Sequence, residues 1–252
     1  MKRNNIGNKK REAGQGFLEY AVILALLVLI SVFGARAIGN KSAANLEKLF
    51  PAFDQTSSGS SGGESGGGGQ SPESVLLTSD EFDNLDNWKK INGPNCWKTI
   101  GGVLTETKGS CTSVLSNQTM LPDNYQVNMN MAQLLSGEGY GLMFRLSKDN
   151  DSYTGYSFQV DHGYGDQFVF RRYDKNGTEL GTPLAAASFP AGFDANAAHN
   201  VSVNVVGDTY IAYVDGVQVL TAVDDTYSSG GAGLRTWGES QSQFDGFSVS
   251  TQ

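Results

Sequence analysis

From Ser74 to the end of the chain, apolar and polar positions alternate with a period of two. Tyr125, Val127, Met129 and Met131 alternate with Gln126, Asn128 and Asn130, and Val201, Val203 and Val205 with Ser202 and Asn204. A strand sends successive side chains to opposite faces, so this pattern predicts strands buried on one face. The same reading predicts strands over residues 140–146, 153–161, 166–173, 209–215 and 216–223. Gly207-Asp208 and Asp215-Gly216 fall between such segments and read as tight hairpin turns, since both dipeptides tolerate positive φ. Eleven or more short strands, with no long amphipathic helix after residue 54, predict a mainly β protein built as a β-sandwich.

The first 54 residues follow a different pattern. Phe17 to Ala35 is a nearly unbroken apolar run of 19 residues. As a helix it would span about 28 Å, close to the thickness of a bilayer core. Lys2, Arg3, Lys9, Lys10 and Arg11 precede it against one acid, Glu12. Such a flank keeps the N-terminus in the cytoplasm and sends the rest of the chain across the membrane. Ala43, Leu46, Leu49 and Phe50 continue at helical spacing until Pro51, which should end the helix. Ala35-Arg36-Ala37 offers an A-x-A cleavage site, so a secretory signal is an alternative. Glu19 argues against it, because a charge inside the apolar run costs about 2.5–3.5 kcal/mol at the bilayer centre and marks a specific partner. Residues 55–72 are 13 parts Gly plus Ser in 18, a flexible spacer. Its end-to-end distance is about 24 Å.

The stretch Gly14-Gln15-Gly16-Phe17-Leu18-Glu19-Tyr20, followed by AVILALLVLI, resembles the processing site of Flp-type (type IVb, Tad) prepilins. The resemblance implies that a prepilin peptidase removes residues 1–14 by cutting after Gly14. Gln15 then becomes the N-terminus, Glu19 the fifth residue and Tyr20 the sixth. It further implies a pilin-type helix over residues 15–54 that anchors the precursor in the cytoplasmic membrane and then joins other pilin subunits in a filament at the cell surface. Glu19 would pair with a neighbouring subunit's new α-ammonium in an apolar core, where each charge alone would be costly. Flp-type pilins usually end soon after the helix, whereas this chain continues for about 180 residues.

The C-terminal part carries a second resemblance. His199, the Tyr213-Val214-Asp215-Gly216 turn, Asp224, Gly231-Ala232-Gly233-Leu234 and Phe244-Asp245 resemble the last strands of concanavalin-A-like (laminin-G-like) jelly rolls. The opening DEFDNLDNWKKI and the middle GYGLMFRLSKDNDSYTGYSFQVDHG fit the same pattern. That superfamily includes lectins, carbohydrate-binding modules, adhesion domains and glycosidases, so the fold leaves function open.

Charge is segregated along the chain. Residues 1–72 hold eight Lys/Arg against five Asp/Glu, whereas residues 73–252 hold ten against 21. An acidic exported domain excludes nucleic acid as a partner, since phosphate binding needs a basic surface. Two His and two Cys give no material for a zinc cluster, and no cofactor is expected. Asp149 and Asp151 offer carboxylates for Ca²⁺, but Tyr153 and Thr154 stand where an EF-type loop needs an acid and a glycine, so a loop turn is expected.

Catalysis is disfavoured by the residues. No stretch matches the E-x-D-x-x-E or E-x-D-x-E arrangement of jelly-roll glucanases, and Glu81-Phe82-Asp83 is the nearest. His162 and His199 have no G-x-S-x-G neighbour. If Leu142, Phe144, Leu146, Tyr156, Phe158, Val160, Phe168 and Phe170 face the core, then Arg145, Gln159, Asp161, Arg171 and Tyr173 share the opposite face. Those donors, acceptors and an aromatic ring suit sugar hydroxyls, with Trp97 and Trp237 as stacking platforms. Cys96 and Cys111 flank a hairpin in the exported part and are expected to pair. Closing that loop would contribute roughly 3 kcal/mol. The expectation is a non-enzymatic pilin-like subunit with a leader (1–14), a helix (15–54), a linker (55–72) and an extracellular lectin-like domain (73–252) for adhesion or glycan binding. The alternatives are a carbohydrate-binding module tethered to the membrane outside any filament, and a divergent glycosidase.

Overall fold

The computed structural model describes residues 74–107, 111–117, 119–149 and 152–252. The residues for which a leader (1–14), a helix (15–54) and a linker (55–72) are expected, with Gly14, Gln15, Glu19 and Tyr20, lie outside the described residues. So does Asp151. Among the described residues no helix is long and apolar enough to cross a membrane.

The chain forms β1 (Leu76–Asp80), β2 (Trp88–Asn92), β3 (Trp97–Ile100), β4 (Val103–Glu106), β5 (Ser113–Asn117), β6 (Tyr125–Ser136) and β7 (Gly139–Asp149). It continues through β8 (Ser152–Asp161), β9 (Gln167–Tyr173), β10 (Ala185–Ser188) and β11 (Ala198–Val206). The last strands are β12 (Thr209–Val214), β13 (Val217–Val223), β14 (Gly231–Thr236) and β15 (Gln241–Thr251). One sheet runs β13-β12-β11-β6-β15-β4-β3, with β1 added to β15, and the other runs β10-β9-β8-β7-β14-β5-β2. Neighbours with distant chain positions, such as β6 beside β11 and β15, give a jelly-roll-like β-sandwich.

Alternation along each strand builds the core. Tyr125, Val127 and Met129 point inward from β6, and Val201, Val203 and Val205 do so from β11. The other sheet answers with Leu142, Phe144, Phe158, Val160, Phe168 and Phe170. Trp88 packs edge-on against Phe247 at 4.9 Å, and Trp97 meets Phe244 at 5.9 Å. Trp97 is therefore a core residue, 3% exposed, and not a stacking platform. The period of two changes phase once across the middle of the first sheet. Gly246 adopts φ 66°, and a Cβ there would meet the Asn130 side chain at 2.5 Å. Past this point Ala132 and Phe244 take the inward positions, and Met131 leaves the core. The predicted Asp215-Gly216 turn has φ of 51° and 76°, the two positive values that a primed turn requires. Cys96 and Cys111 form a disulfide across the β3–β4 hairpin, with Cα atoms 6.4 Å apart.

Arg145 departs from the expected face. It adopts φ 49°, and the β7–β8 pairing shifts register between Phe144 and Ser147. Gly155 and Gly230 make room for this bulge, since a Cβ on either would lie within 2.8 Å of the Arg145 backbone. The Arg145 side chain turns to the end of the sandwich. It donates there to the carbonyls of Asp123 and Gly207, each at 2.9 Å, and to that of Ser228. It thus ties three loops together and is itself buried. The same bulge sends Leu146 outward to join Ile91, Val114, Met143, Tyr153 and Tyr173 in a second apolar cluster.

Candidate functional site

Strand pairing decides which side chains share the outer face of the second sheet. Arg235 of β14 is opposite Gly141 of β7, Gly141 is opposite Gln159 of β8, and Gln159 is opposite Val169 of β9. The adjacent outward row runs Gly233, Met143, Ser157 and Arg171. Directly paired residues point to the same side of a sheet, so Arg235, Gln159, Ser157 and Arg171 are brought together although 78 residues separate Ser157 from Arg235.

Glu179 completes the cluster from the β9–β10 connection. Asp174 opens this segment with an Asx turn, its Oδ1 accepting from the amides of Asn176 at 2.8 Å and Thr178 at 3.0 Å. Those two bonds hold the Asp174 carboxyl below the usual range. The chain then folds back so that Glu179 bridges Tyr173. The Glu179 carboxylate lies 3.2 Å from Arg171 Nε and 3.2 Å from Arg235 Nη1, while Tyr173 Oη donates to it at 2.8 Å. Gln159 Nε2 lies 2.8 Å from Tyr173 Oη and 3.1 Å from Glu179. Burial raises the Tyr173 phenol, which therefore acts as a neutral donor.

Aromatic rings flank the charges. The Arg171 guanidinium sits 4.3 Å from the Tyr164 ring centroid, and that of Arg235 sits 4.8 Å from Trp237 and 5.1 Å from Tyr173. Trp237 lies against the backbone of Gly139, where a Cβ would meet its ring at 2.8 Å. Gly141 leaves a low floor between Arg235 and Gln159, since a Cβ there would have only ordinary contacts at 3.5 Å or more. Asp161 closes one end. Its Oδ1 accepts from the Tyr164 amide at 2.9 Å, which tightens the Asp161-to-Asp166 turn. Burial pushes its carboxyl up to about 6; the Tyr164 amide opposes this, the Glu179 carboxylate adds to it, Arg171 opposes it and Glu138 adds again.

The cluster is rich in buried polar atoms without a hydrogen-bond partner. Gln159 Oε1, Arg235 Nε and Arg235 Nη1 are among them, as is Arg171 Nε. The close approaches of Arg235 Nη1 and Arg171 Nε to Glu179 are therefore ion pairs by distance, with N–H bonds that do not point along the contact. The part of the cluster that water reaches is the Glu179 carboxylate, with the rings of Tyr164 and Trp237 beside the arginines, a polar group flanked by aromatic surface of the kind that lines ligand sites.

Four of the residues expected on this face, Gln159, Asp161, Arg171 and Tyr173, meet here, and Trp237 joins them through Arg235. Arg145 does not, for the backbone reason given above. Sequence reasoning missed Glu179, Arg235 and Tyr164. The Asn176-Gly177 turn was a visible signal for a chain reversal that could deliver Glu179, whereas Arg235 becomes visible only once β14 is known to lie beside β7. Asp149 ends β7, and its companion in the calcium reading, Asp151, lies outside the described residues. Among the described residues, Cys96, Glu106 and Cys111 come within ligating distance of one another, but the two cysteines are bonded to each other.

A family model described as 3-keto-alpha-glucoside-1,2-lyase-like domain matches residues 78–249. The chain is 28% identical over 165 residues to levanase of Bacillus subtilis (strain 168), covering 65% of this chain and 23% of levanase. It thus spans about a quarter of that relative's length. Among solved structures, the carbohydrate binding module CBM66 from Bacillus subtilis is similar with a TM-score of 0.56 and 22% identity, over 67% of this chain and 98% of that one. A β-glucanase of Bacillus licheniformis is similar with a TM-score of 0.51 and 16% identity, over 71% and 98%. At such identities the structural likenesses speak to the fold alone.

Proposed function

The chain belongs to the 3-keto-alpha-glucoside-1,2-lyase-like family, and from that membership we propose that its β-sandwich binds a sugar on the Arg171–Glu179–Arg235 face without transforming it. The fold is of a carbohydrate-binding or glycosidase-like kind. One observation carries the choice of binding: Glu179, the carboxylate at the centre of the face, is held between two arginines and accepts from Tyr173. A carboxylate so engaged positions guanidinium groups; it is poorly placed to attack or to shuttle protons. The part-exposed Glu179 carboxylate would meet ring hydroxyls, held in place by the arginines behind it, and Tyr164 and Trp237 would flank the apolar side of the ring. Levan is the first ligand to try, because levanase is a relative at 28% identity.

Asp161 favours a second reading. Its raised carboxyl, near 6, suits a group that gives and takes a proton, as a divergent glycosidase would need. Incubation of the full-length chain with levan and with β-glucan separates the two readings. Retention of the chain on the polysaccharide with no new reducing ends supports binding, and release of reducing sugar that stops in Asp161→Asn supports the enzyme.

The setting of the module rests on the N-terminal sequence. Gly14, Gln15, Glu19 and Tyr20 support a prepilin-like leader and helix, with the Gly/Ser spacer holding the domain outside the cell. In this reading the protein is a pilin-like or membrane-tethered display of a sugar-binding domain. Intact mass of the protein from cells tests it. A chain beginning at Gln15 supports the prepilin reading, and one beginning at Ile38 replaces it with a secretory signal.

A further inference from the structure

A hollow of about 310 Å³ is lined in part by the turn that carries Asp161 and Tyr164, through His162 and Asp166. Its lining combines the part-buried rings of Phe189 and Phe193, beside Pro190, with the exposed polar side chains of His162, Asp166 and Asp194. The apolar wall is rigidly built. Phe189 packs on Phe193 at 4.7 Å and on Phe168 of the core at 4.7 Å, and Phe193 stacks on His199 at 4.5 Å. The apolar and polar parts are tied together, since the Phe189 amide donates to the Asp166 carbonyl at 2.8 Å. His199 Nε2 lies 2.8 Å from the Asp194 carbonyl, which fixes that residue. His162 and Asp166 pair with each other and are both more than half exposed. The hollow therefore offers part-buried aromatic rings beside exposed polar groups, the combination that suits one face of a sugar ring and its hydroxyls.

The position matters as much as the lining. A single turn of chain supplies Asp161 and Tyr164 to the outer-face site and His162 and Asp166 to the hollow. We infer that the hollow is a second sugar subsite, and that the domain grips an oligosaccharide across this turn. The inference rests on the sugar-binding reading of the outer-face site. A chain seated in both places gains the second contact intramolecularly, so affinity rises with ligand length. The turn is held rigid for this purpose by the Asp161–Tyr164 bond and by the Gly163 amide donating to the Glu138 carbonyl at 2.9 Å.

The test is calorimetric titration of the full-length chain with levan fragments of one to four rings, repeated with a β-glucan ladder. The wild-type chain should bind longer fragments about tenfold more tightly than one ring, the scale of a single good aromatic contact. Phe189→Leu keeps the apolar volume but removes the aromatic face, and His162→Ala alters an exposed lining residue and spares the fold. Each should bring the three-ring affinity down toward that of one ring and leave one-ring binding unchanged. Equal affinity for one and three rings, or variants that bind three rings as tightly as wild type, overturns the second subsite while the outer-face site stands. Failure of every fragment to bind wild type removes the sugar reading itself, and the subsite with it.

Discussion

Replacing Glu179 by Gln probes the centre of the account. The substitution keeps the side-chain shape and an acceptor for Tyr173, and removes the one charge that lies between Arg171 and Arg235. Both guanidinium groups are nearly buried, with side chains 5% and 9% exposed, whereas the Glu179 side chain is 28% exposed. Breaking a fully buried pair costs about 3–5 kcal/mol because a charge is left uncompensated. A fully exposed pair is worth only about 0–1 kcal/mol. Partial wetting of Glu179 places the expected cost between these, at about 2 kcal/mol. For a domain of this size that corresponds to a fall in Tm of about 4–8 °C. Urea unfolding of wild type and Glu179→Gln measures it, with the midpoint moving and the slope unchanged. Arg235→Met in the same background should recover part of the loss, because the excess positive charge is then relieved. A change below about 0.5 kcal/mol, the range of an ordinary surface substitution, would refute the claim that Glu179 holds the face together.

Other outcomes follow from the same structure. Gly141→Ala adds one methyl between Arg235 and Gln159, where a Cβ makes only ordinary contacts, so polysaccharide retention should weaken while the unfolding midpoint stays close to wild type. Asp161 holds its proton more tightly when folded than unfolded, so its contribution to stability is present below the usual carboxylate range and is lost as pH rises through about 6. Wild type should therefore lose about 1–2 kcal/mol relative to Asp161→Asn between pH 4 and pH 7, less than the full shift because the turn is partly wet; parallel stability curves for the two proteins would contradict this. Cys96→Ala with Cys111→Ala should lower stability by about 3 kcal/mol, the entropy of a 15-residue loop, and a reductant should have no further effect on that variant. Glu19→Ala should leave the chain in the membrane fraction and remove it from sheared filaments, and normal filament incorporation would end the pilin reading.

The strands were legible because burial on one face writes itself into the sequence with a period of two. That rule works strand by strand and says nothing of which strands become neighbours. Gln159 and Arg171 could be placed on one face from their own alternation, but Arg235 reaches them only through the β14–β7 pairing, a contact between distant parts of the chain. The rule also fails where the backbone interrupts it. At Arg145 a positive φ reverses the alternation, and the glycines that permit this, Gly155 and Gly230, stand 10 and 85 residues away. Met131 was lost from the core for the same kind of reason, the phase change at Gly246 on a partner strand. Glu179 lies in a loop, where no periodicity constrains it, and its role comes from an Asx turn and one bridge to Tyr173.

Tryptophan fluorescence tests the location of the sugar most directly. Of the three tryptophans, Trp88 and Trp97 are buried in the core, and Trp237, packed on Arg235 at the edge of the face, is only half-buried. Emission that acrylamide can quench therefore comes from Trp237. Saturating levan, or β-glucan if that is the ligand, should protect this emission from quenching, and Trp237→Phe should abolish the protected component. A polysaccharide that binds while Trp237 stays fully open to acrylamide would show that the sugar sits elsewhere, and the Arg171–Glu179–Arg235 face would no longer be the site.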